Sequence, residues 1–279
     1  MKLKFTKMQG CGNDYVYIDC LENDIDLSAE QIAFLSDRRF GVGGDGVIFI
    51  RKAKSADAFM DMRNADGSRG AMCGNGIRCV AKYLYDRGLC SKEAAIDTPS
   101  GVKKITLITE GAAASGAAVE MGRAITDCRG VPVAREGSNV DIPISAAGRE
   151  WVFTALSMGN PHAVVFCKSD VDALELERIG PEFERHEMFP ERVNTEFVNV
   201  MPDGSLKMRV WERGSGETLA CGTGACAVAV AAALKGIRPF GETRVILRGG
   251  ELFITVREDM SVLMRGPARE VFSGELELL

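Results

Sequence analysis

The sequence predicts an α+β fold built from two pseudo-equivalent halves, each a mostly antiparallel sheet or barrel around one central helix. Three observations carry that expectation. Two cysteines open similar glycine-rich stretches, CGNGIRC at Cys73 and CGTGAC at Cys221, and they lie 148 positions apart (221 − 73). Nearly the same offset relates Asn13 in GCGNDYV to Asn160 in SMGNPHAV, Asn64 to Glu212, and Asp45 in GVGGDGV to Asn194 in RVNTEFV, all in the same order. Finally, strand-like alternation before each cysteine gives way to a helical pattern after it, with i, i+3, i+4, i+7 spacing after Cys73 and a continuous apolar run after Cys221.

The elements follow from those patterns. Leu206, Met208 and Val210 alternate with Lys207 and Arg209, and residues 59–63 behave similarly, as half-buried strands do. After Cys73, the positions Ile77, Val80, Ala81 and Leu84 repeat at i, i+3, i+4 and i+7, with Gly88 as a stop signal, so an amphipathic helix is expected. After Cys221, residues 225–234 are apolar on every side and end at Lys235 and Gly236, which suits a helix wrapped by sheet. Both cysteines therefore fall at helix N-termini. The small, uncharged run GAAASGAA, residues 111–118, reads as a domain junction or hairpin tip, giving halves of 1–118 and 119–266 with a cleft expected where the helix starts meet.

Composition narrows the function. With 46% hydrophobic residues over 279 positions, the chain can bury a sizeable core without metals or staples. A formal net charge of −5 and no Lys/Arg-rich block exclude a nucleic-acid partner. The opening MKLKFTKMQGCGND has no continuous apolar stretch of the signal-peptide kind, so a cytoplasmic setting is expected. The longest uncharged run, 219–234, is interrupted by Cys-Gly-Thr-Gly and falls short of the roughly 18 apolar residues a spanning helix needs, so no membrane partner is expected. Nine cysteines, an odd count, point to reduced thiols. There is no Cys-x-x-Cys pair, and the histidines are His162 and His186, so neither a metal nor another cofactor is implied. Cys11, Cys20, Cys90, Cys128 and Cys167 are assigned to packing, and Cys79 and Cys226, inside the helices, to the core.

Two cysteines from two related halves suit inversion of a stereocentre, which needs acid/base groups on opposite sides of one carbon. A thiol titrates near ~8.5, and a helix N-terminus lowers it toward neutrality, so one sulfur serves as thiolate while its partner stays protonated. Backbone donors at Gly74-Asn75-Gly76 and Gly222-Thr223-Gly224 can approach a carboxylate closely, because glycine removes side-chain bulk and the helix dipole favours an anion. The same donors suit developing enolate charge.

The stretches FTKMQGCGND, RFGVGGDG, MRNADGSRGAMCGNGIRC, GNPHAVVF, RVNTEFV and WERGSGETLACGTGAC together resemble the diaminopimelate epimerase family over essentially the full length. The resemblance implies cofactor-independent interconversion of LL- and meso-diaminopimelate in lysine and peptidoglycan precursor synthesis, by a homodimer whose segment 267–279 returns to the first half. It implies that Cys73 and Cys221 are the two catalytic bases, Cys73 formally the donor and Cys221 the acceptor in one direction and reversed in the other. It places Asn13, Asn64, Asn160, Asn194, Glu212 and Arg213 on the substrate, mainly at its unreacting end. Gly74-Asn75 and Gly222-Thr223 bind the reacting carboxylate, while His162 tunes Cys73 and Glu212 tunes Cys221. Many family members carry Gln where this chain has Gly46.

Other readings compete. Gly41 to Gly46 formally matches G-x-G-x-x-G, but a strand-like VIFI follows where a dinucleotide fingerprint needs a helix. A proline-type racemase or phenazine-pathway isomerase would share the two-domain plan. A non-enzymatic thiol or zinc-binding protein is the alternative from another class. His162 after Pro161 also reads as a turn histidine, and Arg213 as a solvated strand end.

Overall fold

A computed structural model describes residues 2–127 and 130–278. The chain divides into two units, Met1–Glu120 with Arg265–Leu279, and Met121–Met264. In chain order the first unit contains β1 (Lys2–Gly10), β2 (Asn13–Cys20), α1 (Ala29–Ser36), β3 (Gly46–Arg51), β4 (Ala58–Asn64), β5 (Arg69–Gly70), α2 (Gly74–Asp86), β6 (Glu93–Asp97), β7 (Lys103–Glu110) and β8 (Ala113–Arg123). The second contains β9 (Ile142–Ala146), β10 (Arg149–Ser157), β11 (Pro161–Phe166), α3 (Leu176–Glu184), β12 (Asn194–Val200), β13 (Leu206–Glu212), β14 (Gly216–Thr218), α4 (Gly222–Leu234), β15 (Gly241–Leu247), β16 (Gly250–Val256) and β17 (Ser261–Pro267), before β18 (Arg269–Glu277) returns to the first unit. The chain passes between units within β8 and β17.

Strand pairing repeats. In the first unit β1 and β2 form a hairpin, β2 runs parallel to β3, β3 antiparallel to β4, and β4 carries short β5 antiparallel and β6 parallel. In the second, β10 and β11 form the hairpin, β11 runs parallel to β12, β12 antiparallel to β13, and β13 carries β14 antiparallel and β15 parallel. The sheets are thus mostly antiparallel with parallel crossovers, and each short strand feeds a cysteine-led helix. Added to the first unit is β18, antiparallel to β1 from Lys2 opposite Glu277.

Each central helix is enclosed by its own sheet. Every residue of α2 from Gly74 to Leu84 is buried, against β1, β2, β6, β7 and β18. The alanine-rich α4 packs against β10, β11, β12, β13, β15 and β16, which explains why it lacks a polar face. Gly88 and Gly236 follow these helices at φ of 69° and 67°, the left-handed conformation glycine supplies without strain. Among the described residues no helix is long and apolar enough to cross a membrane.

Beside the one central helix of each half there is one further helix, α1 in the first unit and α3 in the second. The first starts at a capping box, in which the Ser28 side chain accepts from the Gln31 N–H and the Gln31 side chain accepts from the Ser28 N–H. The second contains Pro181 and is fixed by packing, with Phe183 edge-on to Trp151 and Phe197. The run 111–118 is mostly strand: the turn lies at Gly111 and Ala112, and β8 begins at Ala113. Its small residues answer a close backbone approach, since a Cβ on Gly116 would stand 2.5 Å from the Gly266 carbonyl oxygen.

The cysteines in the described residues are free thiols. Cys11, Cys20, Cys79 and Cys226 are buried, Cys90 and Cys167 half-buried, and Cys128 lies outside the described residues. Burial pushes the Cys79 thiol from 9.0 up to about 11. Between those values the native chain keeps a proton that the unfolded chain has released, so the stability present below pH 9 is lost as pH rises toward 11. Wild type is expected to lose on the order of 1 kcal/mol more per pH unit in that window than Cys79→Ala does. Urea midpoints for both proteins at pH 8 and pH 10 check this, and equal alkaline losses would refute it.

Candidate active site

In the first unit Cys73 is the residue before α2, in extended conformation, and its Sγ accepts the Gly76 N–H at 3.3 Å. Its thiol donates to Asn13 Oδ1 at 3.2 Å, at the start of β2. Asn13 is oriented by Asp45, whose Oδ2 takes the Asn13 amide at 2.6 Å and the Asp14 N–H at 3.1 Å, so the Asn13 carbonyl is left to the sulfur. Burial acts to raise the neighbouring Asp14 carboxyl, but hydrogen bonds from Arg38 and Lys7 outweigh it and hold the group below its usual range. The buried Tyr15 phenol is pushed up by desolvation and then by Cys73.

Asn64 ends β4, opposite Gly46, and its amide donates to Ser68 Oγ at 3.0 Å. Asn75 is buried with its carbonyl accepting from Arg78 at 2.8 Å, while that fully buried guanidinium also donates to Gly74 O and Pro267 O, each at 3.1 Å. The Asn75 side chain thus serves the helix start. Gly46 has no room for any side chain, because a Cβ there would meet the Arg63 carbonyl at 2.0 Å.

In the second unit Cys221 occupies the matching position before α4, and its Sγ accepts the Gly224 N–H at 3.4 Å. Thr223 Oγ1 lies 3.5 Å from the same sulfur and accepts from Asn160 Nδ2 at 3.3 Å. Asn160 Oδ1 is 3.1 Å from His162 Nε2, and His162 Nδ1 is 2.7 Å from Glu196 Oε1. His162 is a strand residue within β11, wholly buried and bonded at both ring nitrogens, which corrects the turn reading. Glu212 ends β13 and accepts from Thr218 Oγ1. Exposed Arg213 follows it, its N–H donating to buried Asn194 Oδ1 at 2.8 Å and its Nη1 to the Glu191 carbonyl at 2.8 Å. Asn194 also donates to Pro161 O at 3.2 Å.

At Cys221 burial outweighs the helix start. Desolvation pushes its thiol well above the ordinary value, and Glu212 and then Glu196 push it further. Thr223 and the Gly224 N–H act the other way and are outweighed. Cys221 therefore holds its proton at neutral pH.

The structure brings Cys73 together with Asn13, Cys221 with Thr223, Asn160, His162 and Glu212, and Asn194 with Arg213. Sequence reasoning missed Glu196, Tyr15 and Glu184. Glu184 takes the Trp211 ring N–H at 2.8 Å and the Gly214 N–H at 3.1 Å, fixing the turn that carries Glu212 and Arg213. For Glu196 the available signal was an acidic residue inside the strand-like run NTEFV. Among the described residues no group of three or more His, Cys, Asp or Glu is arranged to hold a metal ion.

Diaminopimelate epimerase is the family whose sequence pattern matches, over residues 5–126 and 154–271. The chain is 51% identical to a diaminopimelate epimerase of Leptospira biflexa serovar Patoc, covering 100% of both chains. It is 46% identical to one of Methanococcus maripaludis, covering 99% of this chain and 100% of that one. Among solved structures, a hydroxyproline epimerase from Agrobacterium vitis superposes with a TM-score of 0.69 at 16% identity, covering 99% of this chain and 91% of that one. A phenazine biosynthesis protein from Enterococcus faecalis superposes with a TM-score of 0.71 at 14% identity, covering 100% of both. These two structures share the fold.

Proposed function

Since the chain belongs to the diaminopimelate epimerase family, we propose that it interconverts LL- and meso-diaminopimelate without a cofactor, with Cys73 and Cys221 as its two acid/base groups. The observation that carries this reading is the matched pair of helix starts, each with its cysteine sulfur accepting the N–H three residues on. In one direction a Cys73 thiolate takes the α-proton, its electron pair forming the new S–H bond and the C–H pair remaining on the substrate as an enolate. Cys221, which carries its proton, then returns one to the opposite face and becomes thiolate. The other direction exchanges the roles.

The amides of Gly74, Asn75, Gly222 and Thr223 hold the reacting carboxylate, where helix-start donors favour negative charge. Asn13, Asn64, Asn160, Asn194, Glu212 and Arg213 hold the substrate, chiefly its distal amino-acid head. Glu212 tunes Cys221, and His162 tunes Cys73. Gly46 leaves that position without a side-chain contribution, so the remaining polar groups carry distal recognition. Free thiols in the described residues suit a reducing cytoplasmic setting, and a homodimer is the proposed assembly.

The test is deuterium uptake at the α-carbon of LL-diaminopimelate in D2O, run beside L-proline, L-lysine and L-alanine. Uptake and inversion confined to diaminopimelate support the reading. Comparable rates on proline would transfer the chain to the racemases that share its fold.

A further inference from the structure

We infer that Glu196 is a positioning residue for the acid thiol: it holds His162 with a hydrogen on Nε2 and, through Asn160 and Thr223, aims a hydroxyl hydrogen at Cys221. The inference rests on the reading of Cys221 as a reacting thiol and adds a residue to it. Four contacts link the two ends: Glu196 Oε1 to His162 Nδ1 at 2.7 Å, His162 Nε2 to Asn160 Oδ1 at 3.1 Å, Asn160 Nδ2 to Thr223 Oγ1 at 3.3 Å, and Thr223 Oγ1 to Cys221 Sγ at 3.5 Å.

The direction of each hydrogen follows from valence. Asn160 spends an N–H on Thr223, so its carbonyl faces the ring, and a carbonyl only accepts; Nε2 must carry a hydrogen. Thr223 accepts from Asn160, which leaves its own hydrogen for the sulfur. That hydrogen matters most after Cys221 has given up its proton, because a hydrogen bond to the thiolate is stronger than one to the thiol.

Glu196 sits at the start of this chain in a place ill suited to a merely structural carboxyl. It is wholly buried in β12, and among the described residues its Oε2 has no hydrogen-bond partner. An unpaired buried oxygen is unfavourable, and an apolar residue would fill the site without that penalty. Gly224 keeps the carboxyl close to the start of α4, since a Cβ there would stand 2.7 Å from Glu196 Oε1. The titratable groups facing Glu196 are His162 from β11, Glu212 from β13 and Cys221 from α4. The helix α3 packs on β12 through Phe183 against Phe197. Desolvation raises the Glu196 carboxyl and Glu212 adds to it, while His162 opposes; the 2.7 Å contact between Glu196 Oε1 and His162 Nδ1 holds one hydrogen.

Two measurements on free enzyme test this without diaminopimelate. In wild type, long-range 1H–15N spectra of His162, assigned against His186→Gln, are expected to show Nε2 protonated from pH 6 to pH 8; an unprotonated Nε2 overturns the inference. In Thr223→Val the hydroxyl hydrogen at the end of the relay is gone and no charge changes, so iodoacetamide labelling of Cys221, read by peptide mass spectrometry, is expected to begin about one pH unit higher, about tenfold slower at a fixed pH. An unmoved labelling profile in folded Thr223→Val overturns it, as does an unmoved profile in Thr223→Ala if the valine variant fails to fold. Absence of diaminopimelate turnover by wild type would refute the proposed function and leave both readouts standing.

Discussion

Cys73→Ala and Cys221→Ala are each expected to lower epimerisation by at least about 10³-fold, because each deletes the only group proposed to exchange a proton on its face of the substrate. Folding should survive. Each sulfur caps its helix through one long N–H contact, 3.3 Å at Gly76 and 3.4 Å at Gly224, and a weak sulfur acceptor contributes little to a helix otherwise enclosed by sheet. Serine at either position keeps the cap and loses the acidity, so slow residual exchange is expected. Turnover by 1H NMR with thermal melting of the same samples decides the matter. A folded alanine variant retaining a tenth of wild-type activity would end the two-thiol mechanism.

Arg213→Lys is expected to lower kcat/KM for diaminopimelate by roughly 5- to 150-fold, the equivalent of about 1–3 kcal/mol for an unmet charged partner. The guanidinium offers a planar fork to a carboxylate, and an ammonium cannot replace both of its hydrogen bonds. Its backbone anchor would remain, because the Arg213 N–H still reaches Asn194 and the Gly214 N–H still reaches Glu184. Thiol labelling rates in the variant should therefore stay within about twofold of wild type, since no proton is exchanged at this residue. If kcat/KM were unchanged, Arg213 would be the solvated strand end that its exposure also permits.

Much of this arrangement is written locally in the chain. The helix starts at Cys73 and Cys221 are legible because each cysteine opens a Gly-x-Gly stretch that runs into a 3.6-residue apolar period in one half and a continuous apolar run in the other. The repeat then points to Asn13 and Asn160 by offset alone. Glu196 is invisible to such reasoning: its partner His162 lies 34 positions away, and only the parallel register that sets His162 opposite Asn194 brings them together. The raised Cys221 thiol is equally hidden, because a helix N-terminus is read from sequence whereas desolvation depends on sheets folded around it. Helix α3 escapes because Pro181 breaks the local pattern that packing later overrides. Gly46 reads as a permissive turn residue, and only the Arg63 carbonyl beside it shows that a side chain is excluded.

The pairing of β1 with β18 also bears on how the polypeptide reaches its native state. Lys2 and Glu277 are register partners, so the ribosome must deliver the chain as far as Glu277 before β1 finds its neighbour on that edge. The paired strands β9 to β16 lie in one contiguous stretch, with far shorter loops to close. The half synthesised second is thus the one able to mature first, and the half synthesised first must wait, partly assembled, for the closing strand.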